Sequence, residues 1–137
     1  GGWAGGPAAI NRFLFASQPD ADFATEFDAL DADIVLAGHC GLPFDRQLGD
    51  RLWLNAGVIG MPANNGSPVT WFMILEPDGA YGFHTLAYDH AAAAGAMREA
   101  RLAEGYAAGL ETGLWPSLDI LPEAERRATG RPLRDVA

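Results

Sequence analysis

Apolar residues recur at helical spacing early in the chain and then in a short unbroken run. Phe23, Phe27 and Leu30 follow the i, i+4, i+7 spacing of one helix face. Residues 17–20 precede them with a helix-start pattern, and acidic residues there suit the positive end of a helix dipole. Residues 34–37 are apolar and partly β-branched, which predicts a strand buried on both faces.

Two turn signals predict two hairpins in the middle of the chain. A Gly-Asp pair at residues 49–50 lies between two runs of strand-like residues, which together cover 44–55. A Pro-Asp-Gly turn at residues 77–79 divides residues 69–88 in the same way. Both segments are therefore expected to fold back on themselves as antiparallel strand pairs.

Helical signals dominate the C-terminal third of the chain. Asp89 suits the N-cap of one helix that runs through the alanine-rich residues 90–108, because alanine has the highest helix propensity. Residues 109–137 form a proline-containing tail. In this tail Pro122 suits a first helical turn and Gly130 suits a helix end, which predicts one short helix.

The order of these elements predicts an α/β fold with α+β layers. Residues 1–7 are glycine-rich and predict a loop, whereas residues 8–16 fit a helix or a strand equally well. The chain has 137 residues, of which 49% are hydrophobic, enough for one core of ordinary size. It does not begin with methionine, and we expect the natural N-terminus to lie upstream.

The charge balance and the single cysteine restrict the partners and the cellular location that we expect. The chain has 18 acidic and 9 basic residues and a net charge of −9, which argues against nucleic acid as a partner. No apolar run is long enough to predict a membrane span. Cys40 is the single cysteine, so an internal disulfide is excluded and a reducing, cytoplasmic location is expected.

His39 is the most informative residue of the chain. It ends the predicted buried strand and is followed by a glycine-containing loop, at the kind of sheet edge where α/β proteins bind ligands. Imidazole there suits a metal ion or general-base chemistry, and a structural histidine is the alternative. His84 and His90 lack metal-ligand spacing and are interpreted as structural or exposed. Cys40, beside His39, is interpreted as a buried, inert thiol.

A longer stretch, residues 32–75, resembles the C-terminal half of calcineurin-like metallophosphoesterases of the small bacterial phosphodiesterase type. The sequence Gly-His-Cys-Gly at residues 38–41 stands where that family commonly has Gly-His-Thr-His. The sequence NAGVIGMP at residues 55–62 is similar to the family's following Asn-Pro-Gly-Ser element, and a hairpin separates the two motifs as in the family. The resemblance covers residues 1–108, so we expect 1–108 to be the C-terminal portion of such a domain and 109–137 to be a separate tail.

This resemblance implies a hydrolase that acts on a small phosphomonoester or phosphodiester with two divalent ions of the Mn, Fe, Zn or Mg type. His39 matches the first motif histidine and is thereby implied to be a metal ligand. The resemblance also implies a possible active-site loop, in which turn geometry is the alternative role for the last two residues. Its members are Gly38, Cys40, Gly41, Asn55 and Gly57.

The departures from the family pattern are as informative as the matches. Gly41 stands where the family has its second histidine, and glycine has no side chain to bind a metal. The family's other ligand motifs are absent. This implies that the N-terminal half of the same domain is a partner of this chain, and the alternative is that the chain is a degenerate copy of the domain. No catalytic residue is assigned within the chain, and the chain alone is expected to be inactive. The alternative is an inactive protein-binding scaffold of the same fold, like a subunit of retromer.

Overall fold

A computed structural model describes residues 13–133 and the backbone of a short strand at residues 3–4. The strands are β1 (Trp3–Ala4), β2 (Ile34–Ala37), β3 (Pro43–Leu48), β4 (Arg51–Ala56), β5 (Thr70–Leu75) and β6 (Tyr81–Leu86). The helices are α1 (Asp20–Leu30), α2 (His90–Glu99), α3 (Glu104–Thr112) and α4 (Glu123–Arg127). The predicted mixed α/β fold is confirmed. Residues 3–4 form a strand, so the predicted loop is wrong there, and residues 13–16, predicted as helix or strand, belong to neither. The predictions for residues 1–2, 5–12 and 134–137 lie outside the described residues.

The strands form two sheets. In the larger sheet the strand order is β1-β2-β4-β3, with β1, β2 and β4 parallel and β3 antiparallel to β4. The smaller sheet is the β5–β6 hairpin, so both predicted hairpins are confirmed. Ala37 lies opposite Asn55 in the parallel register. The carboxyl ends of β2 and β4 therefore lie side by side at one edge of the sheet.

Helix α1 packs on one face of the larger sheet, as its apolar spacing predicts. The rings of Phe23 and Phe27 meet the Trp53 ring edge to face, at centroid distances of 5.6 and 5.9 Å. Val35 is the register partner of Trp53, and all four side chains are buried. Burial of aromatic side chains of this size contributes about 1.5–3 kcal/mol each to folding. This layer fixes the position of β2 and of the loop that follows it.

The prediction that β2 is buried on both faces is wrong. Val35 is 2% exposed, but Leu36, which points to the opposite face, is 40% exposed. In β4, by contrast, both Trp53 and Leu54 are buried although they face opposite sides of the sheet. Strand β5 contacts β4. The second face of the sheet is therefore covered at β4 and left partly open at β2 by the described residues.

The single long helix predicted after Asp89 is also wrong, although the cap itself is confirmed. The Asp89 carboxylate accepts a hydrogen bond from the backbone N–H of Ala92 at 2.9 Å. The helix stops at Glu99, however, and a second helix starts at Glu104. Between them Arg101 has a φ of 57°, a left-handed conformation that interrupts a helix.

Alanine explains why the two helices pair instead of continuing. Ala94 and Ala107 are fully buried between α2 and α3, where their small side chains allow close contact. The Arg98 guanidinium binds the carboxylates of Glu104 and Glu111 on α3. High alanine content predicts helix but does not reveal where a helix turns back on itself.

The C-terminal tail packs onto the main core. Trp115 and Leu121 belong to the same buried cluster as Phe23 and Val35. Helix α4 begins directly after Pro122, and a turn with Gly130 at a φ of 72° follows it, which confirms the short helix. The division of the chain at residue 108 stays a prediction, and α3 runs across that position.

The helices of the described ranges, 3–4 and 13–133, are all too short or too polar to cross a lipid bilayer.

Candidate functional site

The loops after β2 and β4 meet at the carboxyl edge of the larger sheet. A Cβ added to Gly38 would lie 3.1 Å from the backbone carbonyl oxygen of Gly57, which is tighter than nine in ten real Cβ contacts. Gly57 itself has a φ of 75°, which favours glycine. The two loops approach backbone to backbone, and glycine is favoured at both positions, by the close contact at Gly38 and by the positive φ at Gly57.

His39 lies beside this contact and is exposed at the sheet edge. Its imidazole stacks on the Phe13 ring, with centroids 4.7 Å apart and an angle of 16° between the planes. Stacking of this kind fixes the plane of the imidazole, while one side of the residue lines an open cleft. A histidine held in this way can present a ring nitrogen to a ligand without first becoming ordered.

The Cys40 side chain is buried next to the loop that carries His39. The side chain is 3% exposed, its thiol donates to the Leu42 carbonyl oxygen at 3.6 Å, and its sulfur accepts from Asn55 Nδ2 at 3.1 Å. Burial raises the pKa of Cys40 to about 12. A raised pKa keeps the thiol protonated at neutral pH, which argues against a role as nucleophile or thiolate ligand. The prediction that Cys40 is buried is confirmed, and its inertness stays a prediction.

Asn55 links the two loops. It is 2% exposed, and its amide donates to the Cys40 sulfur while its Oδ1 accepts from the Gly57 backbone N–H at 3.2 Å. One end of the amide thus contacts the Cys40 side chain and the other contacts the Gly57 backbone. The structure brings all the proposed loop residues together at one edge, and it gives Asn55 a positioning role there.

Gly41 faces a space that another part of the chain already fills. Its φ is 79°, and an added Cβ would lie 3.0 Å from Cζ2 of Trp115 and 3.6 Å from Cε of Met61. A larger side chain at this position would require Trp115 to move. The space next to Gly41 is thus occupied by the Trp115 ring, which comes from the C-terminal tail.

Two hydrogen bonds hold Trp115 in this position. Its backbone N–H donates to Asn64 Oδ1 at 2.9 Å, and its indole Nε1 donates to the Pro62 carbonyl oxygen at 2.6 Å. The Asn64 amide nitrogen in turn donates to Thr129 Oγ1 at 3.0 Å. The sequence pattern indicates a turn at Asn64 and allows Trp115 either to pack in the core or to line a substrate mouth or partner surface. It does not pair the two residues, because they lie 51 positions apart.

A cleft of about 320 Å³ opens next to His39. One wall is the loop that carries His39, and the other is the C-terminal tail together with α3. The lining residues are His39, Cys40, Met61, Tyr106, Trp115, Pro116, Ser117, Asp119 and Ile120. The cleft joins the sheet edge to the tail, so the tail belongs to the site geometrically.

The described residues do not fit the two-ion site that the resemblance implies. Within residues 3–4 and 13–133, no group of three or more His, Cys, Asp or Glu side chains could hold a metal ion. His84 lies on β6 with its ring near Phe72, and His90 begins α2, so neither joins His39. His39 is the one side chain among the loop residues with a suitable donor, and its role as a metal ligand stays a prediction.

The fold and site define a mixed α/β protein with a histidine at the carboxyl edge of a parallel strand pair. No protein-family model and no curated protein matches the sequence. Among solved structures, a metallophosphoesterase from Sphaerobacter thermophilus is 27% identical over 64% of this chain, with a TM-score of 0.57. A hypothetical protein from Pyrococcus horikoshii OT3 is 16% identical over 77% of the chain, with a TM-score of 0.64.

This chain spans less than half the length of these neighbours, 45% of the first and 42% of the second. The first neighbour carries the functional name, and the second supports the fold alone. The described residues therefore have a mixed α/β fold that matches part of a metallophosphoesterase.

Proposed function

We propose that this chain is the C-terminal part of a metal-dependent phosphoesterase and that His39 is one of its metal ligands. The observation that carries the proposal is the position of His39, at the carboxyl edge of β2 beside β4, in a fold that matches part of a metallophosphoesterase. Ligands commonly bind at this edge of α/β sheets. The substrate class is a small phosphomonoester or phosphodiester.

The surrounding residues support a positioned ligand. The Phe13 ring fixes the plane of the His39 imidazole, and the close contact of Gly38 with Gly57 keeps the backbone of the two loops together. The Asn55 side-chain amide connects the same loops through its hydrogen bonds with the Cys40 sulfur and the Gly57 backbone N–H. Side chains held in this way lose little conformational freedom when they bind an ion.

One imidazole is not a catalytic metal site, so no reaction step is derived from the described residues alone. The proposal assigns the remaining ligands to the N-terminal half of the same domain, which would be supplied by a longer polypeptide. In such a protein the bound ions would polarise the phosphoryl group and activate water. In this proposal the 137-residue chain contributes one metal ligand, His39, and forms the cleft beside it.

The experiment that tests this function uses the longer polypeptide. Hydrolysis of bis(p-nitrophenyl) phosphate and p-nitrophenyl phosphate is measured with added Mn²⁺, for the unmodified protein and for His39→Ala and His84→Ala. We expect His39→Ala to lower kcat/KM by more than about 100-fold, because loss of a ligand costs more than loss of a residue that supports one. His84 is exposed on β6 and serves as the matched control.

Two results would refute the proposal. In the first, His39→Ala is as active as His84→Ala. In the second, the longer polypeptide folds but shows no metal-dependent hydrolysis. The second result is expected if the residues upstream of Gly1 in the longer polypeptide include no further metal ligands.

The second candidate function is that of an inactive, protein-binding scaffold with the same fold. A specific observation favours it: Trp115 fills the space beside Gly41 where the family has its second histidine. The hydrolysis assay separates the two candidates. A folded longer protein without hydrolysis, and with a metal content that His39→Ala does not change, is the result expected for the scaffold.

A further inference from the structure

We propose that the cleft beside His39 binds an uncharged aromatic group. This inference rests on the proposed function, because the group would be the organic part of the phosphoester whose phosphoryl group lies at His39. The cleft volume of about 320 Å³ is of the size that small-molecule sites have in proteins. His39 lies in its wall, so a bound group would be adjacent to the proposed ligand.

The chemistry of the wall favours an aromatic ring. Most of the lining side chains are apolar, and two of the largest stand exposed instead of packed: Tyr106 is 53% exposed and Ile120 is 47% exposed. Met61 adds a flexible thioether that makes favourable contacts with aromatic rings. Exposed tyrosine supplies a large contact area at a low cost in conformational entropy.

The wall is also held in place before any ligand arrives. Trp115 is 9% exposed and is fixed through its backbone N–H and its indole N–H by Asn64 and Pro62. The segment after it is held by a turn in which the Asp119 N–H donates to Ser117 Oγ at 3.2 Å. Binding to such a wall does not require the protein to order itself first, which favours affinity.

The charges in the cleft decide which kind of ring fits. The lining contains no lysine or arginine, and Asp119 is its one carboxylate. The protein as a whole carries a net charge of −9. A ring that bears its own negative charge would be repelled, so the cleft is suited to a neutral ring and not to an anionic one.

The test uses the longer polypeptide labelled with ¹⁵N, without metal, and two probes of equal ring size. Benzyl alcohol carries a neutral ring, and benzoate carries an anionic one. We expect benzyl alcohol to shift the indole N–H signal of Trp115 and the backbone signals of Met61 and Tyr106, and to leave the Trp53 indole in the core unmoved. Benzoate is expected to bind about fivefold more weakly, as repulsion by a partly exposed charge predicts.

Matched variants identify the site. Tyr106→Ala is expected to weaken benzyl alcohol binding by about fivefold or more, the effect of losing an aromatic contact. Leu102→Ala is the control, since Leu102 is 54% exposed but does not line the cleft. Asp119→Asn is expected to strengthen benzoate binding and to leave benzyl alcohol binding unchanged.

The proposal is overturned if neither probe shifts the cleft signals, if benzoate binds as tightly as benzyl alcohol, or if Tyr106→Ala and Leu102→Ala have equal effects. Its failure is distinct from that of the proposed function. Ring binding without metal-dependent hydrolysis in the longer polypeptide refutes the phosphoesterase alone. Hydrolysis without ring binding refutes the aromatic subsite alone.

Discussion

The ring of Trp115 lies 3.0 Å from the point where a Cβ on Gly41 would stand. The C-terminal tail therefore fills the space next to Gly41. Because Gly41 has no side chain, the Trp115 ring can occupy the space beside it. In this protein the tail has become part of the wall of the proposed site.

The contact predicts the effect of a small change at residue 41. Gly41→Ala is expected to destabilise the fold by about 1–2 kcal/mol for the left-handed backbone, plus about 1–3 kcal/mol for crowding against Trp115. Gly49→Ala is the matched control, because Gly49 also has a positive φ but a Cβ there would meet nothing within 4 Å. Denaturant unfolding measures both variants. Equal losses of stability would contradict the crowding.

The hydrogen bonds of the Asn64 side chain predict that their removal lowers the stability of the fold. Asn64→Gly suits the left-handed backbone, whose φ is 55°, and removes the hydrogen bonds to Trp115 and Thr129. We expect a loss of about 1–3 kcal/mol in the free energy of unfolding, because a buried backbone N–H is left without its acceptor. Asn64→Asp keeps an acceptor for Trp115 and should lose less. A Gly variant as stable as the unmodified protein would show that Asn64 does not hold the tail.

Cys40 should be chemically silent in the folded protein. Burial raises its pKa from 9.0 to about 12, so the folded state holds about a thousandfold less thiolate than the unfolded state at neutral pH. Reaction with 5,5′-dithiobis(2-nitrobenzoate) is the measurement, in buffer and in denaturant. The thiol is expected to react fast only after unfolding. Rapid reaction of the folded protein would mean that the loop opens and exposes the sulfur.

The hydrogen bond between Tyr81 and Asp45 predicts that the fold loses stability at high pH. Its hydroxyl donates to Asp45 Oδ2 at 2.6 Å, and this hydrogen bond raises the pKa of Tyr81 from 10.0 to about 12. The folded state holds the proton more tightly than the unfolded state, so the stabilisation is complete below pH 10 and is lost as the pH rises towards 12. Tyr81→Phe should flatten that part of the stability profile. An unchanged slope in the variant would assign the loss to other groups.

Local signals in the sequence predict much of this fold. The spacing of Phe23, Phe27 and Leu30 predicts α1, and the turn residues predict both hairpins, because each signal depends on neighbours a few residues away. The turn-back at Arg101 was missed, because alanine favours helix on both sides of it. The exposure of Leu36 was missed too, because its apolar character does not reveal whether a second layer covers it.

Sequence patterns also predict only part of the candidate site. His39 and its glycine neighbours could be singled out from the sequence, since they follow a strand in one continuous motif. The wall opposite them could not, because Trp115 reaches the site from a segment whose own pattern indicates only a proline-containing tail. The hydrogen bond from Trp115 to Asn64 joins residues 51 positions apart. Contacts of that range depend on the complete fold.

The central claim is that His39 binds a metal ion, and metal content tests it most directly. The longer polypeptide is purified as the unmodified protein, His39→Ala and His84→Ala, and bound Mn, Fe and Zn are counted per chain by elemental analysis. We predict that His39→Ala loses at least one ion and that His84→Ala keeps the full content of the unmodified protein. Equal metal content in all three proteins, or none in any of them, would contradict the assignment of His39.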